Sequence, residues 1–345
     1  MKILFVGAAS PGDMDGDTME AHVVDGLEGL GANVRYFPFT ARRLRRVNRL
    51  MELAMTDFGW ITSLPVERAL LREVREYSPI LVLLLLGNYI PPATIEKIRG
   101  VTAAPIACWC QDHMGTMGRQ YLIGAKFDYI FTKDPVMLDL LKRYTRIRQV
   151  HYLPEACNPK VHRPAELTSD DRSRYECDVA TAATLYYYRA EILESLLDFD
   201  LRIWGAVPRY YRGPLRKRAA GRSLYTREKA ACFGAARIVI NTLFPMEMGG
   251  LNARAFEVAG CGGFQLISHS DAVARYFEPG REIETFRDLD ELRDKVKFYL
   301  ANEERRREIA AAGQRRAHAD HTYERRLKQL LGTVGFHPDA LDREA

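Results

Sequence analysis

Two glycines, an amide, a guanidinium and a carboxylate stand close together in Gly249-Gly250-Leu251-Asn252-Ala253-Arg254-Ala255-Phe256-Glu257. A glycine turn that runs into a short helix offers first-turn N–H groups and the positive end of the helix dipole. That combination suits a phosphate. Arg254 and Glu257 are three residues apart and share one helix face. From Gly250 to Glu257 is about 10 Å at roughly 1.5 Å per residue. A diphosphate held at the helix start therefore leaves a ribose within reach of the carboxylate, which can accept hydrogen bonds from two sugar hydroxyls. The same residues also suit an ordinary α/β helix with an exposed Arg–Glu pair, and Asn252 suits a plain N-cap. A second glycine turn, Gly260-Cys261-Gly262-Gly263, and an apolar run over 264–268 follow.

Such a segment needs a sheet to carry it, and the chain supplies two. Strand-like runs at 2–7, 33–39, 80–86, 105–110, 129–132 and 149–153 alternate with helical patterns at 18–30, 66–77, 92–99 and 135–144. A proline-rich polar stretch follows, with Pro154, Pro159 and Pro164. The alternation then resumes, with strands at 178–182, 201–204, 238–241, 264–268 and 282–285 and helices at 188–197, 226–235, 251–259, 271–276 and 289–300. This order predicts an α/β chain of parallel sheets with helices on both faces. The expected domains are 1–155 and 176–320, joined by a linker at 156–175 and followed by a helical tail at 321–345.

Composition narrows the function. The chain has 345 residues, 47% of them hydrophobic and 28% charged, with net charge +5. No apolar run reaches the roughly 20 residues of a membrane span. The first residues read as a strand, not a signal peptide, so the expected location is cytoplasmic. The six cysteines form no Cys-x-x-Cys pair and read as buried thiols. The arginine-rich helix pattern 42–49 either packs on its own sheet with a solvated basic face or rests peripherally on the inner face of an anionic membrane. The cluster Arg209-Tyr210-Tyr211-Arg212 mixes aromatics with cations; no nucleic-acid module accompanies it, a loop near a nucleotide phosphate explains it equally well, and no nucleic-acid partner is expected. Asp13, Asp15 and Asp17 lie in the first loop and read as loop and cap residues, with Asp17 or Thr18 as N-cap. The loop at 7–12 is not Gly-x-Gly-x-x-Gly, which argues against a dinucleotide. No Walker A, Gly-x-Ser-x-Gly or His-Glu-x-x-His motif is present.

The second half resembles the C-terminal domain of GT-B glycosyltransferases, in the group typified by spore maturation protein B and related to glycosyltransferase family 4. The resemblance rests on Asn252-x-Arg254-x-Phe256-Glu257 with its glycine turn and apolar strand, on the run Tyr276-Phe277-Glu278-Pro279-Gly280-Arg281-Glu282-Ile283, on Asp288–Leu292, and on His321-Thr322-Tyr323. It covers about residues 180 to 330 and is looser over 1–150. It implies two Rossmann-like domains with parallel sheets facing a central cleft, the acceptor against 1–155 and the nucleotide sugar against 176–320, with the tail crossing back to the first domain. The implied reaction transfers a sugar, most plausibly UDP-linked, to a hydroxyl of a polysaccharide, lipid-linked glycan or surface protein. Retention of configuration is expected by analogy with family 4. The nucleotide sugar is a co-substrate; no cofactor and no metal are expected.

In that reading Gly249, Gly250, Leu251 and Asn252 cradle the diphosphate, Glu257 holds the ribose, and Arg254 and Arg189 neutralise charge. Arg189 reads equally well as a surface arginine at a helix start. Asp112 or His113, at the end of a first-domain strand, acts at the transferred sugar or the acceptor hydroxyl, or else caps a helix. Lys133 can reach the ligand but reads better as structural. His318 and His321 read as packing residues. Base recognition falls to the backbone of 204–207. The sequence departs from family 4 in two places: the first carboxylate of the usual pair falls on Gly249, and Ala182-Ala183-Thr184 stands where an arginine is expected. Two other activities remain open: a nucleotide-sugar epimerase on the same scaffold, and a non-catalytic protein that binds anionic polymers.

Overall fold

The computed structural model describes residues 1–9, 14, 16–39, 65–85, 90–111, 121–245 and 249–337. The chain forms two compact units, one of Met1–Pro154 with Glu324–Ala345, the other of Glu155–Tyr323.

The first unit is built on β1 (Lys2–Gly7), β2 (Asn33–Pro38), β3 (Leu81–Leu85), β4 (Ile106–Cys110), β5 (Tyr129–Thr132) and β6 (Val150–Tyr152). They hydrogen-bond in the order β2-β1-β3-β4-β5-β6, and every pairing is parallel. Strands covered on both faces read as continuous apolar runs; accordingly β3 and β4 are buried at every residue. Helices α1 (Met19–Gly29), α2 (Pro65–Tyr77), α3 (Pro92–Arg99), α4 (Tyr121–Gly124) and α5 (Pro135–Tyr144) lie between the strands. Their starts follow local chemistry. Thr18, not Asp17, caps α1 by accepting the Ala21 N–H at 3.2 Å, while Asp17 meets the His22 ring at 2.7 Å. Asp134 caps α5 ahead of Pro135, accepting the Val136 N–H at 2.8 Å.

The second unit repeats the plan with β7 (Val179–Ala182), β8 (Leu201–Trp204), β9 (Ile238–Asn241), β10 (Gln265–Ser268) and β11 (Glu284–Phe286). The sheet order is β11-β10-β9-β7-β8, again all parallel. Both sheets therefore share the doubly wound 2-1-3-4-5 order. In the second, the direction of winding reverses between β7 and β9, which places a ligand crevice at the carboxyl ends of those two strands.

The helices of this unit are α6 (Ser169–Tyr175), α7 (Tyr187–Glu194), α8 (Thr226–Ala235), α9 (Ala253–Gly260), α10 (Leu289–Ala301) and α11 (Glu303–Asp320). The helix expected over 271–276 is a single 3₁₀ turn at Val273–Arg275; six residues give few hydrogen bonds to offset helix nucleation. Two helices end the chain. The break between α11 and the last falls at His321-Thr322, at the start of the expected tail, where Cys157 donates its N–H to the His321 carbonyl and accepts the Tyr323 N–H. The last helix, α12 (Tyr323–Val334), buries Leu327, Leu330 and Leu331. All six cysteines are buried, and none forms a disulfide. Burial pushes the Cys177 thiol up to about 12, so it carries no thiolate near neutrality.

Within 156–175, Thr168 and Asp171 form a capping box on α6, and Arg227 of α8 grips the same carboxylate at 2.6 Å. Those donors, the Arg227 guanidinium first, hold the Asp171 carboxyl well below the usual carboxylate range. A depressed native value contributes stability above the unfolded value of about 4 that is lost as pH falls toward the native one. The melting temperature is expected to fall steeply below about pH 4, and Asp171→Asn should melt lower at pH 7 with a flatter acid limb. Parallel pH profiles for the two proteins contradict this.

Candidate functional site

Asn252 caps α9 with extended backbone, and its Oδ1 accepts the Ala255 N–H at 3.2 Å. The same side chain pairs with Asn241 at the end of β9. Asn241 Nδ2 donates to Asn252 Oδ1 at 3.0 Å, and Asn252 Nδ2 donates to Asn241 Oδ1 at 2.9 Å. Gln265 at the start of β10 gives its Nε2 to the Ala255 carbonyl at 2.7 Å. Asn241 and Gln265 are buried. A satisfied buried amide network of this kind fixes one geometry, and here it locks the helix start onto β9.

The far end of α9 is set by glycines. Gly262 (φ 74°) donates its N–H to the Ala259 carbonyl, and Gly263 donates to the Val258 carbonyl. That is the Schellman arrangement, which favours glycine at its left-handed position. A Cβ on Gly263 would lie 2.8 Å from the Phe233 carbonyl oxygen. The glycine turn therefore sets how closely the end of α9 approaches the backbone of α8.

Two arginines converge on the ends of β7 and β9. Arg254 donates from Nε to the Ala182 carbonyl at 2.8 Å and from Nη1 to Asn241 Oδ1 at 3.3 Å. Arg189, on α7, donates from Nε to Thr242 Oγ1 at 2.8 Å, from Nη1 to the Thr184 carbonyl, and from Nη2 to the Tyr186 hydroxyl at 2.9 Å. Its guanidinium stacks 4.2 Å from the Tyr186 ring centroid. Arg189 is 5% exposed, so it is no surface arginine. Each guanidinium bridges the same two strand ends, at the place where the sheet order reverses. Charge at that point is stabilising for an anion in a site of reduced dielectric.

Glu257 turns elsewhere. Its Oε2 meets Lys229 Nζ at 3.1 Å, and its Oε1 lies 4.0 Å from His162 Nε2. His162 accepts the Asn158 N–H on Nδ1 at 2.9 Å, which places the proton of the neutral ring on Nε2, facing Glu257. Although Arg254 and Glu257 share a helix face, each has its own partners. Sequence reasoning missed Asn241, Thr242, Lys229 and His162. The only signal for the first two was a polar pair closing the apolar run Ile238–Ile240. Gly249 and Gly250 precede the helix as expected, and Leu251 is buried beneath it.

Asp112 and His113, the residues expected to act at the sugar, lie outside the described residues, as do Asp13, Asp15 and the arginine-rich 42–49. Lys133 is buried. His321 stacks edge-on against Phe256 and Phe277 and bonds the Tyr276 carbonyl, and His318 bonds the His162 carbonyl; both are packing residues. In the first unit, Glu20 accepts the N–H groups of Ala8 and Ala9, each at 3.0 Å. That carboxylate occupies the place where a dinucleotide phosphate would sit.

The loop after β8 needs Gly205. Its φ is 149°, and a Cβ there would lie 2.1 Å from the Ala183 carbonyl oxygen. Gly205→Ala is expected to cost on the order of 3 kcal/mol through strain and overlap, read as a lowered denaturant midpoint. An unchanged midpoint contradicts the close approach of the β7 and β8 loops.

Residues 189–332 match the family model described as glycosyl transferase-like. A search of curated proteins finds no match. Among solved structures, the chain is similar to sucrose-phosphate synthase from Thermosynechococcus elongatus, with 13% identity, 100% of each chain covered and a TM-score of 0.69. It is also similar to Anabaena HepE in complex with UDP and glucose, with 12% identity, 97% and 99% covered and a TM-score of 0.65. AviGT4, a glycosyltransferase involved in avilamycin A biosynthesis, matches at 12% identity, 97% of each chain and a TM-score of 0.62. These likenesses show the GT-B fold, with its two Rossmann-like domains. The chain thus carries a glycosyl transferase-like domain over 189–332 on that fold, which supports a glycosyltransferase enzyme.

Proposed function

We propose that the chain transfers a sugar from a nucleoside-diphosphate donor, UDP-linked in the leading reading, to a hydroxyl of a polysaccharide, lipid-linked glycan or surface protein. The observation that carries this reading is the pair of guanidiniums, Arg189 and Arg254, bridging β7 and β9 beside the capped start of α9. Gly249 to Asn252 and the first turn of α9 take the diphosphate. The two arginines offset the charge that grows on it as the sugar C1–oxygen bond breaks. The acceptor oxygen forms the new bond to C1 and passes its proton to Asp112 or His113 as the diphosphate departs. Asp112 or His113 acts at the sugar, and the transfer retains configuration.

Glu257 accepts the ribose hydroxyls. Lys229, 3.1 Å from Oε2, holds the carboxylate in place. Two cations and a helix dipole do the work of a metal, so none is required. HepE, a neighbour of similar fold, has been seen with UDP-glucose, which supports the choice of donor. Among the described residues no helix is long and apolar enough to cross a membrane. The enzyme works in the cytoplasm, and 42–49 supplies any peripheral contact with a membrane.

A thermal-shift panel of UDP, GDP, dTDP and CDP in excess EDTA tests this reading. A nucleotide that binds only the folded state raises the melting temperature with its concentration. UDP is expected to give the largest rise without added metal. A rise that appears only with a divalent cation, or from none of the four, contradicts the reading.

A further inference from the structure

At the end of the second sheet opposite the donor crevice lies a cleft of about 310 Å³. It opens where the amino ends of β9 and β10 meet the last turn of α8 and the first turns of α11. Four arginines line it: Arg172 from α6, Arg237 just ahead of β9, and Arg306 and Arg307 from α11. Two exposed carboxylates, Glu176 and Glu303, share the lining. Asp178 holds Arg237 at 3.1 Å, and Glu303 pairs with Arg307. Neither Arg172 nor Arg306 pairs with a carboxylate among the described residues.

Arg306 is the informative one, because it is only 8% exposed. Its Nη1 donates to the Tyr299 and Leu300 carbonyls at the end of α10, while Nε and Nη2 meet no acceptor among the described residues. Burial pulls its pKa below the ordinary value; Glu303 opposes that shift, and Arg237 and Arg307 add to it. Arginine keeps its proton regardless, so a buried charge stands uncompensated. Such a charge is costly unless it is paired. A neutral amide at 306 could cap α10 without that cost, so the cap alone does not account for a guanidinium. The start of α11 adds to the same field. Asn302 caps it with no side-chain hydrogen bond, which leaves first-turn N–H groups and the positive end of the dipole beside Glu303.

We infer that this cleft is a second anion site, which takes a phosphate group, either of orthophosphate or of a phosphorylated sugar. The phosphate oxygens meet Arg306 Nε and Nη2, with the exposed Arg172 and Arg307 at the mouth. Two guanidiniums without a carboxylate call for two negative charges and for acceptors in more than one direction, which a phosphate supplies and a single carboxylate does not. The site stands at the amino ends of the strands, so it does not depend on the donor site at their carboxyl ends.

Calorimetry on the full chain in a phosphate-free buffer compares orthophosphate, glucose 6-phosphate, acetate and glucose. At least one of the two phosphates is expected to bind, and acetate and glucose are not. The tighter of the two phosphates tells a free anion from a phosphomonoester. Arg306→Gln should weaken phosphate at least about tenfold, the loss expected when charge-assisted hydrogen bonds go. Arg172→Gln/Arg307→Gln should weaken it about threefold or more and leave the melting temperature unchanged, since both side chains are exposed. If Arg306→Gln fails to fold, that exposed pair decides alone. UDP binding should persist in both variants. No phosphate binding, acetate binding as well as phosphate, phosphate binding that survives the substitutions, or a loss shared with UDP binding overturns the inference.

Discussion

Arg254→Met is expected to lower kcat/KM for the nucleotide sugar about 100- to 1,000-fold, the range found when one preorganised donor to a developing charge is removed. Methionine keeps much of the side-chain volume and loses the whole fork of N–H donors. Two consequences separate. The Ala182 carbonyl and Asn241 Oδ1 lose a partner, which costs about 1–3 kcal/mol in a buried setting and lowers the melting temperature by several degrees. The diphosphate also loses a cation, which lowers kcat as well as affinity, because its charge grows toward the transition state. Arg254→Lys restores the charge without the fork and should recover only part of the rate. Steady-state kinetics on the three proteins provides the check. If Arg254→Met melts lower but turns over at the original rate, the residue is a structural strut and nothing more.

Glu257→Ala is expected to weaken UDP binding about 10- to 100-fold, since a hydrogen bond to a charged acceptor contributes roughly 1.5–3 kcal/mol. A control isolates the ribose. The unaltered protein should prefer UDP to 2′-deoxy-UDP, and the variant should bind the two alike, because the hydroxyl that tells them apart has lost its acceptor. The pairing of Glu257 with Lys229 and His162 makes this test necessary, because a carboxylate held for packing alone would show no such preference. Equal discrimination in both proteins would remove Glu257 from the ribose.

Much of the fold was legible in the sequence. Continuous apolar runs such as 81–85 and 106–110 are the mark of strands covered on both faces, and they became β3 and β4. Local caps were readable in part, as with Asn252 and with Thr18, one of two candidates beside Asp17; the Asp134 cap was not read. What lay hidden depends on strand order. Arg189 looked like either a helix-start surface residue or a phosphate contact, and only the adjacency of β7 and β9 shows why it is buried: Thr184 and Thr242, 58 positions apart in the chain, meet there. Lys229 and His162 stand 28 and 95 positions from Glu257, and no local spacing announces such contacts. The boundary at 320/321 was legible, but its cause, a pairing with Cys157, was not, for the same reason.

The central claim is that the start of α9, flanked by Arg189 and Arg254, holds the diphosphate of the donor. A crystal structure of the chain with UDP tests it most directly. The account predicts diphosphate density against residues 249–252 and both guanidiniums, with the ribose hydroxyls on Glu257. UDP bound anywhere else on the protein, or a diphosphate that leaves Arg189 and Arg254 untouched, contradicts it.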